Sequence, residues 1–147
     1  MSKNQAPSAS IIKFSKFPYR FKRIDFGTIP EPLVQVKLQA KYGWQPIWFL
    51  VDTGADTTTI TVELARILGL NYNSQKKTKL SGIGSQSSYG YPGELTVKLN
   101  DEDEALTIRA YFLESDKNLL LLGRIDIFKH FNILFDNKNQ QTVFAKI

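Results

Sequence analysis

Hydrophobic and polar residues alternate along several short stretches of the chain, and turn residues separate these stretches. In residues 33–40, LVQVKLQA, every second residue from Val34 to Ala40 is apolar, which predicts a half-buried β-strand entered through Pro30 and Pro32. Residues 41–43 predict a turn. Residues 44–51 predict the partner strand, and because its end is apolar on both faces, we expect it to lie in the middle of a sheet.

The second half of the chain repeats this pattern. Residues 94–99 and 106–112 predict two strands joined by the acidic turn 100–104. Residues 119–122 predict a short buried strand that ends at Gly123. Residues 132–136 and 141–147 predict a hairpin around 137–139.

Two segments have helical spacing instead. Thr61 is a suitable N-cap for a short helix with Glu63 in its first turn, running to about Leu68 and ended by Gly69. Residues 125–131 predict two helical turns. The residues expected on the inner sides are Leu64, Ile67 and Leu68 in the first segment and Ile125, Phe128 and Phe131 in the second. Many short strands with one or two short helices predict an all-β, closed barrel-like domain.

Composition narrows the class of protein. The 147 residues are 42% hydrophobic and 22% charged, which is typical of one globular domain. The longest apolar runs, residues 47–51 and 119–122, are too short to span a membrane, and the N-terminal residues lack a secretory signal pattern. The absence of cysteine excludes disulfides and thiolate chemistry. We therefore expect a cytoplasmic protein.

The net charge of +5 is concentrated at one end. Six basic residues and one Asp fall within the first 25 residues, whereas 13 basic and 13 acidic residues follow. We predict a flexible basic arm over residues 1–30, disordered over 1–10, and a folded domain over 31–147. Three alternatives stay open for residues 11–26: a docked strand, an arm that contacts a partner, or a tail that is removed. Nucleic-acid binding is not favoured, because no recognised binding motif accompanies the basic residues.

The candidate chemistry lies in FLVDTGADTTTI, residues 49–60, where an apolar strand runs directly into Asp52. Burying an ionised carboxylate is costly unless it is paired or hydrogen-bonded. Asp52 is therefore either a catalytic residue or a turn aspartate that caps the loop. Asp-Thr-Gly alone is weak evidence, since the triplet also arises by chance.

Three segments in order strengthen the catalytic interpretation: FLVDTGAD at 49–56, Gly82-Ile83-Gly84, and LLGR at 121–124 before a short helix. In these segments the sequence resembles the retropepsin-like aspartic proteases, the half-size relatives of pepsin that include retroviral proteases and bacterial counterparts. The resemblance covers about residues 33–144. It implies an aspartic endopeptidase with the retropepsin fold that needs no cofactor and no metal.

The resemblance makes Asp52 the catalytic residue of a pair that activates a water between two carboxylates. The chain has no second Asp-Thr-Gly or Asp-Ser-Gly, so the implied partner is a second copy of itself. The Gly54 N–H would hold the carboxylate, and the Thr53 hydroxyl would bond across the dimer. Ala55 and Asp56 would line the cleft for a peptide or protein substrate.

The other two segments receive supporting roles. By the same resemblance, Arg124 would form a structural, bidentate pair with Asp56, and Gly82, Ile83 and Gly84 would form a flap that closes over substrate. The alternatives are a helix-surface arginine and an ordinary surface turn. His130 is the only histidine, so no zinc site is expected. The alternative function is a non-catalytic retropepsin-like module for peptide binding or dimerisation.

Overall fold

The structure, a computed structural model, describes residues 13–81, 88–115, 117 and 120–147. This part of the chain contains twelve strands and one helix. In chain order they are β1 (Phe14–Pro18), β2 (Arg20–Ile24), β3 (Gly27–Glu31), β4 (Leu33–Ala40), β5 (Gly43–Val51), β6 (Thr58–Thr61), α1 (Val62–Leu68), β7 (Thr78–Leu80), β8 (Ser88–Lys98), β9 (Leu106–Leu113), β10 (Leu121–Leu122), β11 (Phe131–Asp136) and β12 (Gln141–Lys146).

Seven strands form the main sheet in the order β4-β5-β10-β6-β9-β8-β7, and β4 also pairs with β8, so that the sheet closes into a ring. The ring encloses the hydrophobic core, in which each buried Leu, Ile or Phe side chain contributes about 1.5–3 kcal/mol. Its fully buried large side chains include Phe49, Phe112, Phe144, Leu38, Ile60, Leu95 and Ile108. The predicted all-β, barrel-like fold is confirmed.

The alternating pattern of residues 33–40 is confirmed by β4. Val34, Val36 and Leu38 are fully buried, and the strand pairs along its whole length with β5. At its end β5 also pairs in parallel with β10, which places that end inside the sheet as predicted. The strand β6 was not predicted: all four of its residues are buried and three of them are threonines, so it shows no alternation of apolar and polar positions.

The first predicted helix is confirmed at both ends. Thr61 accepts a hydrogen bond from the Leu64 N–H, and Gly69 ends the helix at φ 68°, a left-handed conformation that favours glycine. The prediction that Ile67 lies on the inner side is wrong, because its side chain is 65% exposed. The buried residue of this short helix is Ala65, two positions earlier. At seven residues α1 is short, and no helix in the described part of the chain is long and apolar enough to cross a membrane.

Residues 125–130 form hydrogen-bonded turns rather than a helix, and Phe131 begins β11. Asp126 has φ 64°, which interrupts helical geometry, although the Phe128 and Phe131 N–H groups still bond four residues back to Arg124 and Ile127. The predicted inward position of Phe128 is wrong, since it is 42% exposed, and Ile127 is buried instead. We name residues 123–131 the Gly123 turn. Residue 119 of the preceding predicted strand lies outside the described residues.

The N-terminal residues contribute three strands. The strand β1 pairs antiparallel with β12 and so completes a three-stranded sheet in the order β1-β12-β11, which corresponds to the docked-strand alternative for this segment. The predicted C-terminal hairpin is present as β11 and β12. The strands β2 and β3 form a separate two-stranded hairpin. The division of the chain at residue 30 stays a prediction, and the predicted disordered residues 1–10 lie outside the described part.

Candidate active site

Asp52 directly follows β5, where main-chain bonds hold it from two sides. Its N–H donates to the Leu122 carbonyl oxygen at 3.0 Å, and the preceding Val51 N–H donates to the Pro32 oxygen at 3.0 Å. The first bond comes from β10 and the second from the chain segment that enters β4. The backbone that carries the carboxylate is therefore fixed by two other parts of the ring.

Within the loop, the carboxylate is oriented by a backbone donor. The Gly54 N–H donates to Asp52 Oδ1 at 3.0 Å, and the Ala55 N–H donates to the Asp52 carbonyl oxygen at 3.1 Å. A Cβ at Gly54 would lie 3.3 Å from the same Oδ1 and would crowd the carboxylate. Asp52 is half-buried, whereas Thr53 and Gly54 are exposed. We name residues 52–57 the Asp52 loop; its tip faces away from the core.

Two buried threonines of β6 accept hydrogen bonds from β10 and from the Gly123 turn and so form a brace between these elements. Their role was not predicted from the sequence. The Gly123 N–H donates to Thr58 Oγ1 at 3.1 Å, and the Leu121 N–H donates to Thr59 Oγ1 at 3.3 Å. A Cβ at Gly123 would lie 2.4 Å from the Thr57 carbonyl carbon, so glycine is required there. Hydroxyl groups inside an apolar stretch need partners, and the three consecutive threonines were the signal that could have revealed the brace.

The predicted partners Asp56 and Arg124 lie together. The Arg124 N–H donates to the Ala55 oxygen at 3.0 Å and the Ile125 N–H to the Asp56 oxygen at 2.9 Å, which docks the Gly123 turn onto the Asp52 loop. Arg124 Nη2 also donates to Asp56 Oδ1. This ion pair joins one nitrogen to one oxygen rather than being bidentate, and it is exposed, with the Asp56 side chain 86% accessible.

A second carboxylate–arginine pair lies on the other side of the same turn and was not predicted. Asp126, whose side chain is 7% exposed, accepts from Arg109 Nε at 2.9 Å, from Arg109 Nη2 at 3.0 Å and from the Arg109 backbone N–H at 2.9 Å. Lys129 Nζ is 3.3 Å away. The bonds from Arg109 hold the pKa of the Asp126 carboxyl well below its usual range. This pair fastens the turn to β9.

The proposed flap residues Gly82, Ile83 and Gly84 lie outside the described residues. The strands on either side of them, β7 and β8, pair antiparallel up to Leu80 and Ser88. Near this point Glu114 accepts a hydrogen bond from the Tyr91 hydroxyl and lies 3.3 Å from Lys77 Nζ. The bond from Tyr91 lowers the pKa of Glu114 and raises that of Tyr91. The two strands are thus tied to the end of β9.

A cavity of about 270 Å³ is lined by no residue of the Asp52 loop. Its lining includes His130 and Leu122, whose carbonyl oxygen accepts the hydrogen bond from the Asp52 N–H. In the residues that the structure describes, no group of three or more histidine or acidic side chains is arranged to hold a metal ion.

Comparisons with known proteins identify the family and the fold. The family model of the retroviral aspartyl proteases matches residues 28–135. A retropepsin-like aspartic protease from Rickettsia conorii shares the fold, with a TM-score of 0.56 and 20% identity over 92% of this chain and 93% of the other. The EIAV protease complexed with the inhibitor HBY-793 matches with a TM-score of 0.49 and 25% identity over 67% of this chain and 86% of that one. No curated protein matches the sequence.

The family match includes the Asp52 loop, β10 and the Gly123 turn, which are the elements that build the site described above. The match also begins within β3 and so includes the last strand before the ring. Because it spans most of the 147 residues, the chain belongs to the retroviral aspartyl protease family and is an aspartic-type endopeptidase.

Proposed function

We propose that the protein hydrolyses peptide bonds as a homodimer, with a water activated between the Asp52 carboxylates of its two subunits. The observation that supports this most directly is the geometry of Asp52. Its backbone is fixed, its carboxylate is oriented by the Gly54 N–H, and Thr53 and Gly54 beside it are exposed. The chain has one Asp-Thr-Gly, so a second carboxylate requires a second copy related by a two-fold axis.

In the proposed dimer the two Asp52 carboxylates share one proton, so that one is ionised and the other is protonated. The ionised carboxylate takes a proton from the water as the water oxygen attacks the scissile carbonyl carbon. The protonated carboxylate gives its proton to the carbonyl oxygen. When the tetrahedral intermediate collapses, the first carboxylate gives the proton it took from the water to the amide nitrogen, the second takes a proton back from a hydroxyl of the intermediate, and the carbon–nitrogen bond breaks.

The neighbouring residues receive the roles that the sequence predicted for them. The Gly54 N–H orients each carboxylate, and the Thr53 hydroxyl of each subunit bonds across the two-fold axis to the other loop. Ala55 and Asp56 line the cleft, and the exposed Asp56 carboxylate is available to an extended peptide. Gly82, Ile83 and Gly84 close over the substrate and exclude bulk water. Arg124 supports the loop and does not contact the reacting atoms.

The test is cleavage of a mixed peptide library between pH 4 and pH 7 at several protein concentrations. Asp52→Asn keeps the shape of the side chain and removes its acid–base chemistry, so we expect it to abolish hydrolysis without unfolding the protein. The matched control is Glu102→Gln, which makes the same carboxylate-to-amide change at an exposed position of the acidic turn. We expect this control to keep full activity, with rates that rise faster than linearly with protein concentration.

Two results would contradict the proposal. Hydrolysis by Asp52→Asn at the wild-type rate would remove Asp52 from the mechanism. A stable dimer that cleaves no peptide in the library would instead favour the alternative, a non-catalytic module for peptide binding or dimerisation.

A further inference from the structure

The hairpin formed by β2 and β3 stands apart from the rest of the molecule. The two strands pair with each other from Arg20 and Glu31 to Ile24 and Gly27, and neither belongs to one of the larger sheets of the described structure. Four of the five residues of β2 and three of the five residues of β3 are exposed. A two-stranded hairpin with no layer against either face is marginally stable in water, so this one is suited to gain a partner.

The hairpin exposes large apolar side chains on both of its faces and in its connecting turn. Phe21 is 52% exposed and Ile29 is 38% exposed, while Phe26 in the connecting turn is 98% exposed. Phe21 lies opposite Pro30, and Ile29 lies opposite Lys22, so Phe21 and Ile29 point to different faces. Exposed apolar side chains grouped on one element mark an interaction surface. A partner that covers them must contact both faces and the tip.

The base of this hairpin lies beside the catalytic carboxylate. The chain leaves β3 at Glu31, and the next residue, Pro32, accepts the hydrogen bond from the Val51 N–H at 3.0 Å. Val51 directly precedes Asp52. Arg20 at the start of β2 also lies over the Trp48 ring of β5, with 5.0 Å between the guanidinium carbon and the ring centroid. The base of the hairpin therefore lies at the edge of the site where the proposed function requires a second subunit.

The three-stranded sheet is the other candidate surface near the termini. Its middle strand β12 is paired on both edges, whereas the outer edges of β1 and β11 are open in the described structure, and Phe14 and Leu134 are exposed. The hydrogen bonds that fix the backbone at Asp52 come from β10 and from Pro32, however, and not from this sheet. The exposed residues Thr53 and Gly54 alone are far smaller than the roughly 800 Å² per partner of a stable interface. A buried aromatic side chain contributes about 150–250 Å², so Phe21 and Phe26 add contact area of the required order.

We propose that the β2–β3 hairpin is a dimerisation arm and that its partner is a second copy of this chain. Each hairpin buries Phe21, Phe26 and Ile29 against the other subunit beside the two Asp52 loops, and two-fold symmetry makes the two contacts equivalent. This inference rests on the proposed function, because that function supplies the need for a second copy at this edge of the molecule.

The test measures dimerisation directly, in the Asp52→Asn background, where activity plays no part. Sedimentation equilibrium of the full chain gives the dissociation constant of the dimer. We expect Phe21→Ser combined with Phe26→Ser to raise this constant at least tenfold. The matched control combines Tyr42→Ser with Ile67→Ser, which removes two side chains that are 87% and 65% exposed elsewhere on the surface, and it should leave the constant unchanged.

A second measurement does not depend on the double variant folding. The chain has no cysteine, so Phe26→Cys carries a single thiol for a fluorophore sensitive to its surroundings. We expect the emission of this label to change with protein concentration over the range in which the dimer forms. The same label on Tyr42→Cys should show no change.

The outcomes separate this inference from the proposed function. Either an unchanged dissociation constant in the hairpin variant or a label at position 26 that does not respond to concentration overturns the arm alone. A chain that stays monomeric at all concentrations overturns both the arm and the homodimeric mechanism. Hydrolysis that survives Asp52→Asn overturns the catalytic proposal instead, whatever the hairpin does.

Discussion

The Gly123 turn is held on its two sides by ion pairs of different character. On the side of the Asp52 loop, Arg124 reaches the exposed carboxylate of Asp56 through one nitrogen. On the opposite side, the buried carboxylate of Asp126 accepts three hydrogen bonds from Arg109. An exposed pair contributes little to stability because water screens it, whereas a buried carboxylate that loses its partners is costly. The comparison indicates that the buried pair of Asp126 and Arg109 anchors the turn to β9. The exposed pair of Asp56 and Arg124 beside the Asp52 loop contributes little to stability.

The largest expected effect is on stability and comes from Asp126→Asn. Asparagine tolerates the left-handed backbone of this residue, so the substitution removes the charge and one acceptor without adding strain. We expect the free energy of unfolding to fall by about 2 kcal/mol, below the full value for a broken buried pair because the Arg109 side chain is 62% exposed. Urea denaturation followed by circular dichroism measures this change.

The matched control is Asp56→Asn, the same chemical change on the other side of the turn. As an exposed position, it should alter the free energy of unfolding by less than about 0.5 kcal/mol. Equal losses from the two substitutions would show that the two sides of the turn do not differ as the geometry indicates.

The sequence reveals the pair of Asp56 and Arg124 but not the pair of Asp126 and Arg109, for a physical reason. Asp56 and Arg124 belong to short motifs that can be read locally, as can the alternation that produces β4 and the capping residues of α1. The role of Asp126 can be recognised only from its contact with Arg109, a residue of β9 that reaches it after the chain has folded. The left-handed backbone at Asp126 then ends the helical spacing on which the prediction for residues 125–131 relied.

The same dependence on contacts between distant residues explains the other differences between the predicted and the observed elements. In β6, Thr58, Thr59 and Thr61 are buried on both faces of the strand, so β6 lacks the alternation of apolar and polar residues from which β4 was predicted. In β1, alternate residues are half-buried because pairing with β12, from the other end of the chain, holds one face of the strand against the core, where Phe17 contacts Phe144. The candidate catalytic motif could be recognised from the sequence because its residues are contiguous. The elements that support it depend on residues far apart.

The second prediction concerns acid pH and isolates the charge of Asp126. Its pKa is lowered in the folded protein, chiefly by the side-chain bonds from Arg109, and is about 3.9 in an unfolded chain. The stabilisation is therefore complete above about pH 5 and is lost as the pH falls through 3.9 towards the folded pKa. We expect the wild type to lose stability more steeply below pH 4 than Asp126→Asn. Parallel slopes in thermal unfolding at pH 2.5–6 would contradict this assignment.

The smallest effect expected is at the threonine brace between β6 and the Gly123 turn. Thr58→Val keeps the shape of a fully buried side chain but removes the oxygen that accepts from the Gly123 N–H, leaving that donor unpaired inside the protein. We expect a loss of about 1 kcal/mol in the free energy of unfolding, together with a lower rate of peptide hydrolysis, because Gly123 adjoins the Leu122 carbonyl that fixes Asp52.

Thr142→Val is the matched control for that prediction. Thr142 is equally buried, yet its Oγ1 has no hydrogen-bond partner among the residues that the structure describes. Replacing this hydroxyl with a methyl group removes an unpaired polar atom, so stability should stay the same or rise, and hydrolysis should not change. If both valine variants lost stability equally, the cost would come from the shape of the side chain. The hydrogen bond to Gly123 would then not be what holds the turn against the Asp52 loop.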